Sequence, residues 1–291
     1  MDKTLYNAYV SILKEELLPA MGCTEPIAVA YAAAVAAREL GKPAEAVEIR
    51  VSGNIIKNVK SVVVPNTGGR RGLAAAAAIG IVAGNDDKEL EVISEVTSEQ
   101  QEELAAFLDN TPITVKPALS DLVLDIWIHV YAGEEQASVR IINHHTGLAS
   151  ILHNGKVLLE QEPVNPAENN GLDYDLLAVA DIYDFATTMD VNDVKELFDL
   201  QMAYNCAIAE EGLRNDYGAN IGKVLLRTYG DDVHTRARAK AAAGSDARMS
   251  GCELPVIINS GSGNQGITVS VPVVEYAKEI GCDDEKLYRA L

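Results

Sequence analysis

Two cysteines of this chain stand in the same local pattern, Gly-Cys-x-x-Pro. The first pattern spans Gly22–Pro26 around Cys23, and the second spans Gly251–Pro255 around Cys252. In each pattern we expect a helix to end at the glycine and a second helix, with proline in its first turn, to follow the cysteine. A helix N-terminus favours a thiolate, and thiolates are the ligands of iron–sulfur clusters and zinc. The spacing therefore predicts two cysteines that face one cofactor.

Packing is the alternative for any cysteine, because a free cysteine is among the most buried residue types. Cys206 lies inside a predicted helix with neither glycine nor proline beside it, which favours packing. Cys282 leads into the acidic run Asp283–Glu285, which opposes a thiolate. Only Cys23 and Cys252 are therefore predicted to be metal ligands.

Three glycine-rich polar loops form a second group of candidates. They occupy residues 52–54, 66–69 and 260–266. Backbone N–H groups in such loops bind anions, and Ser, Thr and Asn side chains orient a small carboxylate. Solvated turns are the alternative. The sequence lacks the Gly-Lys-Ser/Thr of a phosphate-binding loop, and no acidic residue stands at the spacing of a dinucleotide fingerprint.

The histidine pair His144-His145 is a third candidate, for proton transfer or metal binding. A polar turn is the alternative. The sequence contains neither Gly-x-Ser-x-Gly nor His-Glu-x-x-His, which argues against a serine hydrolase of that type and against a zincin.

Apolar periodicity predicts helices on both sides of a strand-rich segment. Helices are predicted over residues 4–18, 24–40, 73–82, 98–108, 175–187, 192–212, 219–229 and 234–250, with Thr24 as the N-cap of the second. Strands are predicted over residues 47–51, 90–93, 112–117, 121–131, 136–143, 147–153 and 156–160. We expect an α+β fold in which a discontinuous, mainly helical catalytic domain (1–87 with 166–291) is interrupted by a smaller strand-rich α+β insert (88–165).

The composition limits the classes of partner. With 24 Lys and Arg against 43 Asp and Glu, the net charge is −19, which argues against nucleic-acid and anionic-membrane binding. No apolar run approaches the roughly 18 residues of a spanning helix, and no signal peptide precedes the first helix. We expect a cytoplasmic protein whose four cysteines are not a disulfide framework. The last residues lack a helix stop, which predicts a longer natural chain.

Together these motifs resemble the L-cysteine desulfidase branch of the iron–sulfur-dependent L-serine dehydratase (alpha chain) family. The resemblance rests on Gly22–Ala28, Ser52–Asn54, Pro65–Gly69 and Gly251–Gly266, in that order. It implies a pyridoxal-independent lyase that eliminates sulfide from L-cysteine, or water from L-serine, and yields pyruvate and ammonia. In that family three cysteines hold a 4Fe–4S cluster, whose open iron acts as a Lewis acid on the leaving group.

Carried onto this chain, the resemblance makes Cys23 and Cys252 two cluster ligands, with the third cysteine expected beyond residue 291. It also implies that Glu25 orients the substrate or a proton. It does not identify the α-proton base, for which His145 is our candidate. The loops would hold the carboxylate and ammonium of the amino acid. The implied substrate-binding residues are Thr24, Ser52, Gly53, Asn54, Asn66, Thr67, Gly68, Gly69, Ser260, Gly261, Ser262, Gly263, Asn264 and Gln265.

Other functions stay open at this stage. The loops would serve equally in a non-catalytic amino-acid-binding protein, or in an inactive, truncated homologue of the lyase. A structural zinc site is the weakest alternative, because the sequence lacks a Cys-x-x-Cys pair. A small amino acid is the expected partner, and a homodimer remains open.

Overall fold

The structure is a computed structural model that describes residues 1–161 and 173–291. Helices and strands both build it, so the predicted α+β class is confirmed. The helices are α1 (Lys3–Glu16), α2 (Thr24–Leu40), α3 (Gly53–Val59), α4 (Gly72–Ala83), α5 (Ser98–Asn110), α6 (Val179–Thr188), α7 (Lys195–Arg214), α8 (Ile221–Tyr229), α9 (Val233–Met249), α10 (Gly263–Ile280) and α11 (Asp284–Ala290). The strands are β1 (Pro19–Met21), β2 (Ala46–Val51), β3 (Ile113–Pro117), β4 (Asp125–Ala132), β5 (Glu135–Ile142), β6 (Leu148–His153), β7 (Lys156–Glu160) and β8 (Pro255–Ile257).

The chain divides into two compact units. We call Met21–Pro163 the sheet unit, and Met1–Ala20 with Val164–Leu291 the terminal unit. The division differs from the predicted boundary at 87/88, because β2 lies before that position and pairs with both β3 and β4. The predicted boundary at 165/166 lies outside the described residues.

The sheet unit is built on a mixed sheet of the order β3-β2-β4-β5-β6-β7, in which β2 and β3 are parallel and the other pairs are antiparallel. Side chains alternate between the two faces of each strand, and on the inner face of this sheet Ile49, Ile126 and Ile128 are fully buried. Helices α2 and α4 pack together, and α2 packs against β4 and β5. At Gly80 a Cβ would lie 2.1 Å from the Ala30 carbonyl oxygen, so only glycine permits this approach of α2 and α4.

The terminal unit is built on the packing of α7, α9 and α10. The fully buried amide of Asn205, on α7, accepts from the Ile257 N–H at 2.9 Å and donates to Ser270 at 3.0 Å. It thereby ties α7 to β8 and to α10. Strand β8 is paired with β1, and the next N–H, of Ile258, donates to the Leu18 carbonyl oxygen at 2.9 Å. These contacts fix the segment that follows Cys252.

In the sheet unit one predicted strand is absent and one helix was not predicted. The sequence predicts a strand over Leu90–Ile93, but the first two of these residues belong to the acidic 3₁₀ turn at Asp86–Glu91, whose start is capped by the Asn85 side chain. The apolar residues of Leu90–Ile93 are buried at 3% exposure or less without a strand partner in the described sheets. Helix α3 was not predicted, because it is only seven residues long and begins inside a glycine-rich loop.

Candidate active site

The first cysteine motif begins helix α2. Cys23 has extended backbone angles (φ −78°, ψ 129°) and is the N-cap, with Thr24 as the first helical residue. The predicted N-cap at Thr24 is therefore wrong by one residue. The element before this motif is β1 rather than a helix, since Gly22 follows that strand directly. The cysteine nevertheless lies at a helix N-terminus as predicted, and its side chain is only 5% exposed.

Gly22 brings the first motif against the Pro65–Gly69 loop. Its φ is +63°, and a Cβ there would lie 2.4 Å from Cγ of Pro65. Both the backbone angle and the proline ring therefore require glycine. Gly22 and Pro65 are 43 positions apart in the sequence, and the sequence pattern alone does not reveal their contact.

The Glu25 carboxylate contacts three polar side chains near the start of α2. The Cys23 thiol donates to Oε2 of Glu25 at 2.9 Å, and the Thr24 hydroxyl lies 3.4 Å from the same oxygen. The Asn58 amide donates to Oε1 at 3.2 Å. Asn58 lies on α3, and sequence reasoning missed it because that helix was not predicted. Its contact with Glu25 is a candidate functional contact.

Electrostatics keep Glu25 ionised. Burial acts to raise the pKa of its carboxyl group, but hydrogen bonds from Cys23 and Asn58 and the nearby His145 imidazole hold that pKa below its ordinary value. His145 lies in the turn between β5 and β6 and is half-buried, whereas His144 is exposed. Cys23 and Glu25 are therefore in direct contact, and His145 is near enough to act on the charge of Glu25.

Ser52 holds the junction between β2 and α3. Its hydroxyl donates to the Val123 carbonyl oxygen at 2.7 Å, and its N–H donates to the Asp125 carbonyl oxygen at 2.9 Å. Gly53 and Asn54, in the first turn of α3, are exposed. A binding role for these three residues stays a prediction, and Ser52 has a structural role in addition.

The side chains of the first two residues of the loop at 66–69 form hydrogen bonds that fix its backbone. Asn66 has φ +56° and donates its amide to the Ile93 carbonyl oxygen at 2.7 Å. Thr67 is fully buried, and its hydroxyl donates to the Val64 carbonyl oxygen at 2.7 Å. Gly68 and Gly69 form the exposed part of the loop. Binding by these four residues stays a prediction, in which exposed backbone would supply the N–H groups.

The second cysteine motif differs from the first. Cys252 follows α9 and donates its N–H to the Ala247 carbonyl oxygen at 3.0 Å, but Pro255 begins strand β8 rather than a helix. The prediction of a helix after Cys252 is therefore wrong. The apolar residues Val256 and Ile257 are buried, and β8 pairs with β1, a partner far away in the sequence. That pairing overrides the local helix signal of the proline.

The surroundings of Cys252 do not favour its thiolate. Burial raises the pKa of the Cys252 thiol above its ordinary value, although hydrogen bonds from the Leu254 backbone and the Tyr217 hydroxyl oppose this. Tyr217 has a single hydroxyl proton, for which Cys252 competes with the Glu211 carboxylate, whose Oε1 lies 3.1 Å from the Tyr217 hydroxyl oxygen. A Glu211–Tyr217–Cys252 chain of contacts results, and sequence reasoning missed both of the other members. They precede the motif by more than 30 residues, with no local signal.

The loop after β8 is shaped around Arg248. A Cβ at Gly263 would lie 2.4 Å from Nε of Arg248, and Nη1 of Arg248 donates to the Asn264 amide oxygen at 3.0 Å. Arg248 is only 3% exposed, so a guanidinium charge is buried within this loop. Asn259 and Ser262 exchange backbone hydrogen bonds across the turn at 260–261. Sequence reasoning missed Arg248, although it stands four residues before Cys252.

Several members of this loop have defined structural roles. The Ser262 hydroxyl accepts from the Gln265 N–H at 3.4 Å and caps α10. Ser260 has φ +48° and Gly261 has φ +73°, which makes the tight turn possible. The loop thus presents its polar side chains from a rigid turn at the start of a long helix. Substrate binding by Ser260, Gly261, Ser262, Gly263, Asn264 and Gln265 stays a prediction.

The positions of the cysteine, histidine and acidic side chains show whether the described residues can ligate the predicted cluster. Cys23 belongs to the sheet unit and Cys252 to the terminal unit, so each unit offers one of the two predicted thiols. Among residues 1–161 and 173–291, no group of three His, Cys, Asp or Glu side chains is arranged to hold a metal ion. Neither unit therefore supplies the three thiolates of the implied cluster, and each motif fits a single ligand position.

Residues 87–291 match the serine dehydratase alpha chain family. The chain belongs to that family. It is 53% identical over 286 residues to a UPF0597 protein of Desulfitobacterium hafniense, covering 98% of this chain and 66% of that relative. It is 48% identical over 287 residues to a UPF0597 protein of Lachnoclostridium phytofermentans (99% and 69%), and 46% identical over 295 residues to one of Fusobacterium nucleatum (99% and 69%).

The chain spans about two thirds of the length of these curated relatives. No solved structure matches it. Within the part of the chain that the structure describes, no helix is long and apolar enough to cross a membrane. The residues that match the family model include the second cysteine motif and the loop at 260–266, whereas the first cysteine motif and the loops at 52–54 and 66–69 precede them.

Proposed function

We propose that this chain forms the larger part of a lyase that eliminates sulfide from L-cysteine, or water from L-serine. Membership of the serine dehydratase alpha chain family supports a serine dehydratase-like lyase. The observation that carries the finer proposal is the contact between Cys23 and Glu25 at the start of α2, beside His145. It joins a thiol to a carboxylate, with an imidazole near enough to act on the carboxylate charge; groups of these types ligate iron and move protons.

The proposed reaction is a β-elimination followed by hydrolysis. The α-proton of L-cysteine leaves to a base, the Cβ–S bond breaks, and the sulfur departs as hydrogen sulfide. The aminoacrylate that remains takes up water and releases ammonia and pyruvate. L-Cysteine and water thus give pyruvate, ammonia and hydrogen sulfide, with no oxidant or reductant required.

In this proposal His145 takes the α-proton and Glu25 stabilises the imidazolium that forms. The His145 imidazole is one of the groups that lower the pKa of Glu25, so the carboxylate is available in its charged form. Asn58 and Thr24 hold the carboxylate in place through their contacts with its two oxygens. The loops at 52–54, 66–69 and 260–265 orient the carboxylate and ammonium groups of the substrate.

The proposed cofactor is a 4Fe–4S cluster, with Cys23 and Cys252 as two of its thiolate ligands and further ligation from outside these two motifs. Bound there, the cluster would supply Lewis-acid assistance to the departing sulfur or oxygen. A soft thiolate leaving group suits iron, which favours L-cysteine over L-serine as substrate. A cytoplasmic location and a homodimer remain predictions.

The experiment measures pyruvate and sulfide release after anaerobic reconstitution with iron and sulfide. We expect turnover of L-cysteine by the full-length protein, loss of turnover in Cys23→Ser, and retention in Cys206→Ser, whose cysteine lies outside both motifs. His145→Asn should lower kcat far more than it changes KM. An iron-free, inactive wild-type protein that still binds L-cysteine, with Cys23→Ser binding equally well, would contradict the lyase and favour an amino-acid-binding protein.

A further inference from the structure

The terminal unit contains a cavity of about 280 Å³ that the proposed catalytic groups do not line. Its walls come from α1, from residues 174–185, and from the turn after β8. All of these elements belong to the same unit. The volume lies near the lower end of the range for small-molecule sites, which is about 300–1,000 Å³. The cavity is therefore large enough for a compact ligand.

The walls of this cavity are mainly apolar. Ile12 and Leu13 line it from α1, and Leu177 and Ile182 line it from the other side. Leu177 is 41% exposed and Ile182 is 46% exposed, although both are large aliphatic residues beside a buried core. A ligand with an aliphatic body would remove this surface from water, which is favourable.

One part of the lining carries a negative charge. Glu16, near the end of α1, is half-buried in the lining and accepts a hydrogen bond from the Tyr174 hydroxyl at 2.7 Å. A carboxylate has about four acceptor positions, so this bond leaves capacity for a donor on a ligand. The Tyr9 hydroxyl donates to the Leu176 carbonyl oxygen at 2.9 Å and accepts from the Ala178 N–H, which fixes this wall.

We propose that this cavity binds a small primary amine with a branched aliphatic chain, of the size of the leucine side chain with its ammonium group. The aliphatic body covers Leu177 and Ile182, and the ammonium group donates to Glu16. Charge complementarity decides between this ligand and a neutral or anionic one of equal size, because a half-buried carboxylate stabilises a cation and disfavours an anion.

The site is positioned to influence the glycine-rich loop. Asn259 and Ser260 contribute to its lining, and Ser260 is the first residue of the loop at 260–266. A ligand here contacts that loop directly, so it shifts the loop conformation only as far as it binds one conformation more tightly than another. Its binding does not depend on the proposed lyase reaction.

The test is titration calorimetry on the 291-residue chain without reconstitution. Isoamylamine should bind with one site per chain, and isocaproate, which carries a carboxylate in place of the amine, should bind at least about tenfold more weakly. Glu16→Gln should weaken isoamylamine binding by a similar factor. Glu196→Gln removes the same charge from an exposed position in the first turn of α7, outside the cavity, and should leave binding unchanged.

A second variant tests the cavity independently, in case Glu16→Gln does not fold. Ile182→Trp fills the cavity from a half-exposed position, so it should also weaken isoamylamine binding while the far-ultraviolet circular dichroism stays unchanged. No saturable binding by the wild type, equal binding of isocaproate, or equal binding by Glu16→Gln would overturn the proposal. Competition by L-cysteine would also overturn it, because the cavity would then be a substrate site. None of these outcomes depends on lyase activity.

Discussion

The contact between Gly22 and Pro65 can be tested by alanine substitution. In Gly22→Ala, the new Cβ would lie 2.4 Å from Cγ and 2.9 Å from Cδ of Pro65, at a residue with φ +63°. Gly41, at the other end of α2, has nearly the same φ of +67° but no atom within 4 Å of its Cβ position. Gly41→Ala is therefore a matched control that carries the backbone penalty without the clash.

The expected losses follow from these two terms. A non-glycine residue in the left-handed region costs about 1–2 kcal/mol, which both variants incur. Forcing a methyl group into a packed site costs about 1–3 kcal/mol more, which only Gly22→Ala incurs. We therefore expect the free energy of unfolding to fall by about 1–2 kcal/mol in Gly41→Ala and by about 2–5 kcal/mol in Gly22→Ala.

The assay is urea unfolding followed by tryptophan fluorescence. The chain has one tryptophan, Trp127, which lies on β4 in the sheet unit that contains both glycines. Its emission therefore reports the unfolding of the unit that carries the mutations. Equal losses in the two variants would refute the contact between the first cysteine motif and the Pro65 loop, because only the shared backbone penalty would then be present.

Three further changes test other parts of the account. Arg248→Met should remove about 1.5–3 kcal/mol of stability, because the Asn264 amide loses a charged donor, whereas Arg238→Gln, exposed on the same helix, should change little in urea unfolding. Asp125→Asn, in an ion pair with half-buried Arg140, should cost about 3 kcal/mol and alter the tryptophan emission. The pKa of the Glu275 carboxyl group is below its ordinary value, because the contacts with two cations lower it by more than burial raises it. Its contribution is thus present above the ordinary pKa and lost as the pH falls through the lowered value, so Glu275→Gln should flatten acid unfolding followed by circular dichroism.

Local signals predicted the first motif well. Proline after Cys23 marks a helix start, and the alanine-rich run that follows has high helix propensity, so α2 was predicted from residue 24 to residue 40. The alternation of Val47, Ile49 and Val51 likewise predicted β2, because one face of that strand is buried and the other is polar. Helix-start signals and strand alternation each depend on only a few neighbouring residues, so the sequence alone is enough to predict α2 and β2.

Tertiary contacts account for what the sequence pattern could not predict. Asn58 reaches Glu25 only because α3 packs beside α2, and Tyr217 reaches Cys252 from the segment after α7. The helix signal after Cys252 failed because β8 pairs with β1, more than 200 residues earlier. Arg248 illustrates the same limit, since its burial by the glycine-rich loop depends on the turn between β8 and α10.

The most direct test of the proposed lyase is the iron and sulfide content of anaerobically reconstituted protein, with its visible absorbance. The account predicts bound iron and sulfide with a broad band in the blue region in the wild type and in Cys206→Ser. It predicts that both the metal and the band are lost in Cys23→Ser and in Cys252→Ser. A cluster that survives both of these substitutions would contradict the assignment of the two Gly-Cys-x-x-Pro motifs as ligands.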